Sequence, residues 1–135
     1  MILITVEIRW QGVALLRLQA QSKKTIVVKG ESYLFYPIGL GLPHETQTLS
    51  VSLRDLTIRS GTPTLLGPSI GEYAAVNNGL LGATVQTQVF DMTDLMTPQT
   101  ATAVYREQVN RSRLNETDLA LTLSTESQPL KFWTS

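Results

Sequence analysis

Residues 28–55, VKGESYLFYPIGLGLPHETQTLSVSLRD, decide the architecture of this chain: a β-prone run meets a Pro/Gly break and then a strictly alternating strand. Tyr33, Leu34, Phe35 and Tyr36 are side chains that suit a pleated, half-buried surface. The run stops at Pro37, whose ring fixes φ and removes the ladder donor, so Pro37 ends a strand or sits on a sheet edge. Gly39, Gly41 and Pro43 supply a connector. From Thr48 to Leu56, Leu49, Val51 and Leu53 fall on one face and Ser50, Ser52 and Arg54 on the other, the period of a strand wetted on one side.

Towards the N-terminus, Ile2, Ile4, Val6, Ile8 and Trp10 alternate with Leu3, Thr5, Glu7 and Arg9. Gln11-Gly12 turns the chain into a second run, Val13 to Gln19, which predicts a hairpin. After a polar break at Lys23-Lys24, Thr25 to Val28 leads through a tight turn at Gly30-Glu31 into Tyr33 to Tyr36, a second hairpin. Towards the C-terminus the alternating strand runs on to Ile58. Arg59 to Ser69 then reads as a long connection, because Gly61, Pro63, Gly67 and Pro68 prevent regular pairing. Ser69-x-x-Glu72 matches a capping box and the residues to Leu81 do not alternate, which predicts a short helix, with an irregular loop as the alternative. Ala83 to Asp91, Val104 to Asn110 and Leu119 to Ser124 return to strand, with Asn115-Glu116 as the turn of a terminal hairpin. About eight short strands and one short helix predict an all-β, mainly antiparallel β-barrel or split-barrel domain rather than a parallel sheet with crossover helices.

The length of 135 residues fits a single β-rich structural domain, residues 1–135, with 128–135 as an extended C-terminal tail. Hydrophobic residues make up 42% and charged residues 16%, so Ser, Thr and Gln fill many polar positions. The 11 basic and 11 acidic residues cancel, which leaves no bulk field to attract nucleic acid or an anionic membrane. The absence of cysteine removes disulfides, thiolate metal sites and cysteine nucleophiles together. MILITVEIRW is interrupted by Thr5, Glu7 and Arg9 and reads as a strand rather than a signal peptide. No apolar run approaches the ~20 residues that span a bilayer.

The chemical inventory is nearly empty, and the chain reads as no enzyme. His44 is the single histidine and reads as a loop residue, since a lone histidine cannot build the usual multi-histidine metal site. Asp91 and Asp94 read as strand-ending residues rather than a catalytic carboxylate pair. Gly39-x-Gly41 and Gly79-x-x-Gly82 lack the context of a phosphate loop. Arg106, Arg111 and Arg113 suggest a basic stripe, which Glu107, Glu116 and Asp118 are expected to neutralise. No catalytic, cofactor-binding or metal residue is assigned, and no cofactor or small-molecule substrate. Leu130, Phe132 and Trp133, after Pro129, are the candidate subunit-interface residues: a terminal segment frays unless its apolar side chains are tied down, either on the domain's own core or on a neighbouring subunit.

The order Gly30-x-x-Tyr33-x-x-Tyr36-Pro37-Ile38, then the strand through Leu53 and Asp55, Leu80-Leu81-Gly82-Ala83-x-Val85, and Val109-x-Arg111-x-x-Leu114-x-x-x-Asp118-x-Ala120-Leu121-x-Leu123-Ser124 resembles the amino-terminal hub domain of the minor tail protein L family and related tail-tip and baseplate hub proteins of tailed bacteriophages. The resemblance spans residues 25–127. It implies a virion structural protein of a tail tip or baseplate, assembled in the bacterial host cytoplasm. Such a part forms a homo-oligomeric ring, trimeric or hexameric, and joins the tail tube to the central hub or fibre proteins. Longer members carry a cysteine-rich carboxy-terminal domain with an iron–sulfur cluster; this sequence ends at Ser135 without one, so no cofactor comes with the resemblance. The alternative reading is a β-sandwich that recognises a carbohydrate or other host-surface ligand through a shallow platform of Trp10, Tyr33, Tyr36 and Tyr73.

Overall fold

The computed structural model describes residues 2–36, 53–91, 101 and 103–125. Alternating apolar residues form β1 (Ile2–Trp10) and β2 (Val13–Gln19). The turn between them, Gln11-Gly12, has positive φ at both residues (49° and 83°), the handedness that matches the twist of the flanking strands. β3 (Ile26–Val28) and β4 (Glu31–Phe35) form a second hairpin around Lys29-Gly30, again with positive φ at both (52° and 81°). The remaining elements are β5 (Leu53–Arg59), α1 (Ile70–Val76), a 3₁₀ turn (Asn78–Leu80), β6 (Thr84–Asp91), β7 (Ala103–Leu114) and β8 (Asp118–Thr125).

The strands lie in one sheet in the order β3-β4-β2-β1-β6-β7-β8-β5. All neighbours are antiparallel except β2 and β4, which run parallel with Leu18 opposite Leu34 and Gln19 opposite Phe35. The expectation of an all-β, mainly antiparallel domain with one short helix therefore holds. The sheet divides into an N-terminal half, β3-β4-β2-β1, and a C-terminal half, β6-β7-β8-β5. A β1–β6 ladder joins them, running from Ile2 opposite Asp91 to Arg9 opposite Thr84.

Among the described residues no ladder closes this sheet into a barrel: β3 and β5 are its two ends. The sheet nevertheless curls, because Tyr36, just past β4, and Leu56 and Ile58 of β5 share one buried cluster with Val6, Ile8 and Val85. Two contacts span the gap. The Arg59 N–H donates to the Tyr36 hydroxyl (2.6 Å), and the Leu65 N–H donates to the Leu15 carbonyl (2.9 Å). Leu15 is available because β2 bulges there: the register steps from Ile8–Leu16 to Arg9–Ala14, leaving Leu15 without a partner in β1. The proline at position 37 has no N–H with which to continue a ladder beyond β4.

The first part of the alternating strand expected from Thr48 lies outside the described residues. Within β5 the buried phase is Leu56 and Ile58, opposite Leu121 and Leu119 of β8, so Leu53 holds the register phase of Asp55 and Thr57 instead. The leucines of β8 set that phase, since Leu119, Leu121 and Leu123 are buried on the inner face.

A smaller cluster, Leu3, Ile26, Val28, Tyr33 and Phe90, lies apart from the inner one. β1 thus contributes Leu3 to one cluster and Val6 and Ile8 to the other. Gln19, fully buried at the end of β2, is satisfied by the chain that follows it. Its amide nitrogen donates to the carbonyls of Ser22 (2.7 Å) and Lys24 (3.0 Å), and its oxygen accepts from the N–H groups of Gln21 and Ser22.

α1 begins as its capping box predicts, with the Ser69 hydroxyl accepting from the Glu72 N–H (3.2 Å). It buries Ile70, Gly71 and Ala74. Gly71 is required by contact: a Cβ there would lie 2.9 Å from the Ser60 carbonyl oxygen and 2.7 Å from its Cβ. Gly79 has φ of 65° and lies against the Ser112 hydroxyl, which ties the 3₁₀ turn to β7.

Candidate functional site

The residues singled out in the sequence fall in different places. Leu130, Phe132, Trp133, His44 and Asp94 lie outside the described residues, and Asp91 is exposed at the end of β6. The aromatic platform is not assembled on one exposed face. Tyr33 and Tyr36 are 5% and 6% exposed and belong to different clusters, while Trp10 and Tyr73 pack, partly buried, against the inner one. Among the described residues no group of His, Cys, Asp and Glu is placed to hold a metal ion. No helix among them is long and apolar enough to cross a membrane.

Charge is laid out in two regions. On β1 and β2, Glu7 sits opposite Arg17 and accepts from it at 2.7 Å, also binds Arg9 at 2.9 Å, and Arg17 reaches on to Glu31 at 2.8 Å. Burial opposes the Arg17 charge, but the hydrogen bond to Glu7 and the attraction of Glu7 and Glu31 outweigh it and raise its pKa above the ordinary value. The Tyr33 phenol is pushed up by burial and then by the Glu7 charge. Every charge in this chain of four has an opposite neighbour, so it is a stabilising network with nothing left to offer a ligand.

The second region is different. β7 carries a bulge between Val109 and Arg111. Beyond it, Arg111 stands opposite Thr122 and Arg113 opposite Ala120, and across β8 these face Asp55 and Thr57. The small side chain of Ala120 leaves a groove of about 530 Å³ lined by both arginines, Ser112, Thr122, Asp55 and Thr57. Asp55 accepts from the Thr122 hydroxyl (3.2 Å), and neither Arg111 nor Arg113 has an ion-pair partner among the described residues. Of the three acids expected to neutralise the arginines, Glu116 and Asp118 form no ion pair with them among the described residues. Glu107 lies opposite Val85 and is 1% exposed, in phase with buried Val109 on the inner side of β7. By period 2 alone Glu107, Val109, Arg111 and Arg113 would share one face; the bulge between Val109 and Arg111 moves the arginines to the other, a shift that no local signal in the sequence announces.

Glu116 projects from the β7–β8 turn. The Asn115 side-chain oxygen accepts from the N–H groups of Thr117 (2.9 Å) and Asp118 (2.8 Å), and the Ser60 hydroxyl donates to the Glu116 carbonyl (2.9 Å). Glu116 and Glu72, both exposed, flank a notch of about 370 Å³ between this turn and α1.

These features define an almost entirely β-structured module with one basic groove and one acidic corner among its described residues. No family model matches the chain, and no curated protein matches it. Among solved structures, its fold is similar to a chain of the virion of a native gene transfer agent particle, with a TM-score of 0.64 and 14% sequence identity. The likeness covers 96% of this chain and 42% of that one, so this chain spans less than half the length of its structural neighbour.

Proposed function

We propose that this chain is a structural protein of a virion of the tailed-phage kind, acting by assembly as a hub or connector of the tail tip or baseplate. It would join the tail tube to central hub or fibre proteins. The observation that carries the reading is the fold likeness to a virion chain across 96% of the sequence. It agrees with the resemblance of the Gly30–Ile38 and Val109–Ser124 segments to tail hub domains. The near-neutral composition favours close packing of identical copies, which a strongly charged protomer would resist. In this reading the chain is one β-rich structural unit in a homo-oligomeric ring, and Leu130, Phe132 and Trp133 dock on a neighbouring subunit.

The test is to purify particles from cells that make the tagged chain and locate the tag by electron microscopy. The chain is expected at one end of the tail in fixed copy number, and truncation after residue 129 is expected to leave a folded protein that enters particles poorly. Absence of the chain from intact particles would overturn the reading.

A further inference from the structure

We propose that the groove between Arg111 and Arg113 is the receiving half of a charged contact between copies of this chain, and that the acidic corner formed by Glu72 and Glu116 of a second copy fills it. The inference rests on the assembly reading above and names the surfaces that would carry it.

Both arginines are exposed and without ion-pair partners among the described residues, whereas the charges of the Glu7–Arg17 network are already matched within the protomer. They stand two residues apart on one strand, so their Cα atoms are ~7 Å apart, a spacing that lets two carboxylates bind side by side. Asp55 is turned to Thr122 and leaves the groove with a net positive charge. A cleft of opposite sign lies elsewhere on the protomer, between α1 and the β7–β8 turn, where Glu72 and Glu116 flank the notch lined by Leu114. Glu116 is presented on a turn fixed by three hydrogen bonds, and Glu72 on the first turn of a capped helix, so little ordering would be needed on binding. One positive cleft and one negative corner on different faces of a protomer make a head-to-tail contact, the kind that closes rings when the rotation allows.

The experiment uses the full chain and two charge-reversed variants, R111E/R113E and E72R/E116R, with self-association read by sedimentation velocity over a concentration series. All four positions are exposed, and an unchanged melting temperature checks that each variant folds. The wild type is expected to associate, and association is expected to weaken as salt rises, because the screening length falls from about 10 Å at 0.1 M to about 3 Å at 1 M. Each variant alone is expected to associate at least about tenfold more weakly, and an equimolar mixture to recover it, since the native contact re-forms between unlike copies. Should a variant fail to fold, R111Q/R113Q and E72Q/E116Q are expected to show the same loss without the recovery. A wild type that stays monomeric at every concentration, variants that associate like the wild type, or a mixture without recovery would each overturn the inference. Particle incorporation of R111E/R113E at wild-type level would also overturn it while leaving the virion role intact; loss of incorporation by the wild type itself would count against the virion role instead.

Discussion

The two halves of the sheet meet twice, and the two meetings are built differently. At one, β1 and β6 form a continuous antiparallel ladder from Ile2–Asp91 to Arg9–Thr84, with Ile8 and Val85 paired in the core. At the other, across the gap between the sheet's ends, the Tyr36 hydroxyl takes the Arg59 N–H and the Leu15 carbonyl takes the Leu65 N–H. Backbone pairing at the ladder tolerates many side chains, provided the inward ones remain apolar. The gap depends on particular atoms: one phenol, one bulged carbonyl.

Four substitutions test this contrast. Ile8→Ala, in the ladder and fully buried, should cost about 2–5 kcal/mol through lost contacts and the cavity left behind, read by urea unfolding. Gln19→Leu should cost about 2–3 kcal/mol, because it strands the N–H groups and carbonyls of residues 21–24 that the amide now satisfies. The main-chain carbonyl of Gln19, which accepts from the Tyr36 N–H (2.8 Å), is left in place by this substitution. Tyr36→Phe removes the hydroxyl alone and should cost about 1 kcal/mol, with faster amide exchange at Arg59. An unchanged Arg59 amide would refute the bridging role.

The smallest effect at neutral pH belongs to Tyr33→Phe, whose consequence appears in alkali. The folded pKa of Tyr33 is raised, so its stabilising contribution is complete below the unfolded value of about 10 and is lost as pH rises through the higher folded value. Stability of the wild type should therefore fall more steeply with rising pH beyond that point than stability of Y33F. Parallel curves would remove Tyr33 from the account.

Local signals carried much of this fold. Gln11-Gly12 and Ser69-x-x-Glu72 are decided within a few residues and appear where the sequence places them, whereas the alternation expected in β1 fails at its start, where Ile2 is exposed and Leu3 and Thr5 are buried. Strand order was not legible, since nothing near Ile2 announces that its partner is Asp91. The buried phase of β5 was not decided locally: Leu56 and Ile58 are the buried positions because they stand opposite Leu121 and Leu119 of β8. Gln19 looked like an ordinary polar residue at a strand end; its burial follows from the path of the next five residues. The arginine groove was visible as residue types, but Glu107, Glu116 and Asp118 were expected to neutralise it, and the bulge that puts Glu107 and the arginines on opposite faces of β7 has no local signal.

The placement of the β1–β6 ladder also bears on how the chain finds its fold. Hairpins β1–β2, β3–β4 and β7–β8 pair residues close in sequence, whereas the middle of the sheet pairs the start of the chain with Asp91. Closing so large a loop carries an entropic cost that local hairpins do not bear. Forming the centre of the sheet therefore costs more chain entropy than forming the hairpins, and until β6 pairs with it β1 presents a row of unpaired N–H and C=O groups.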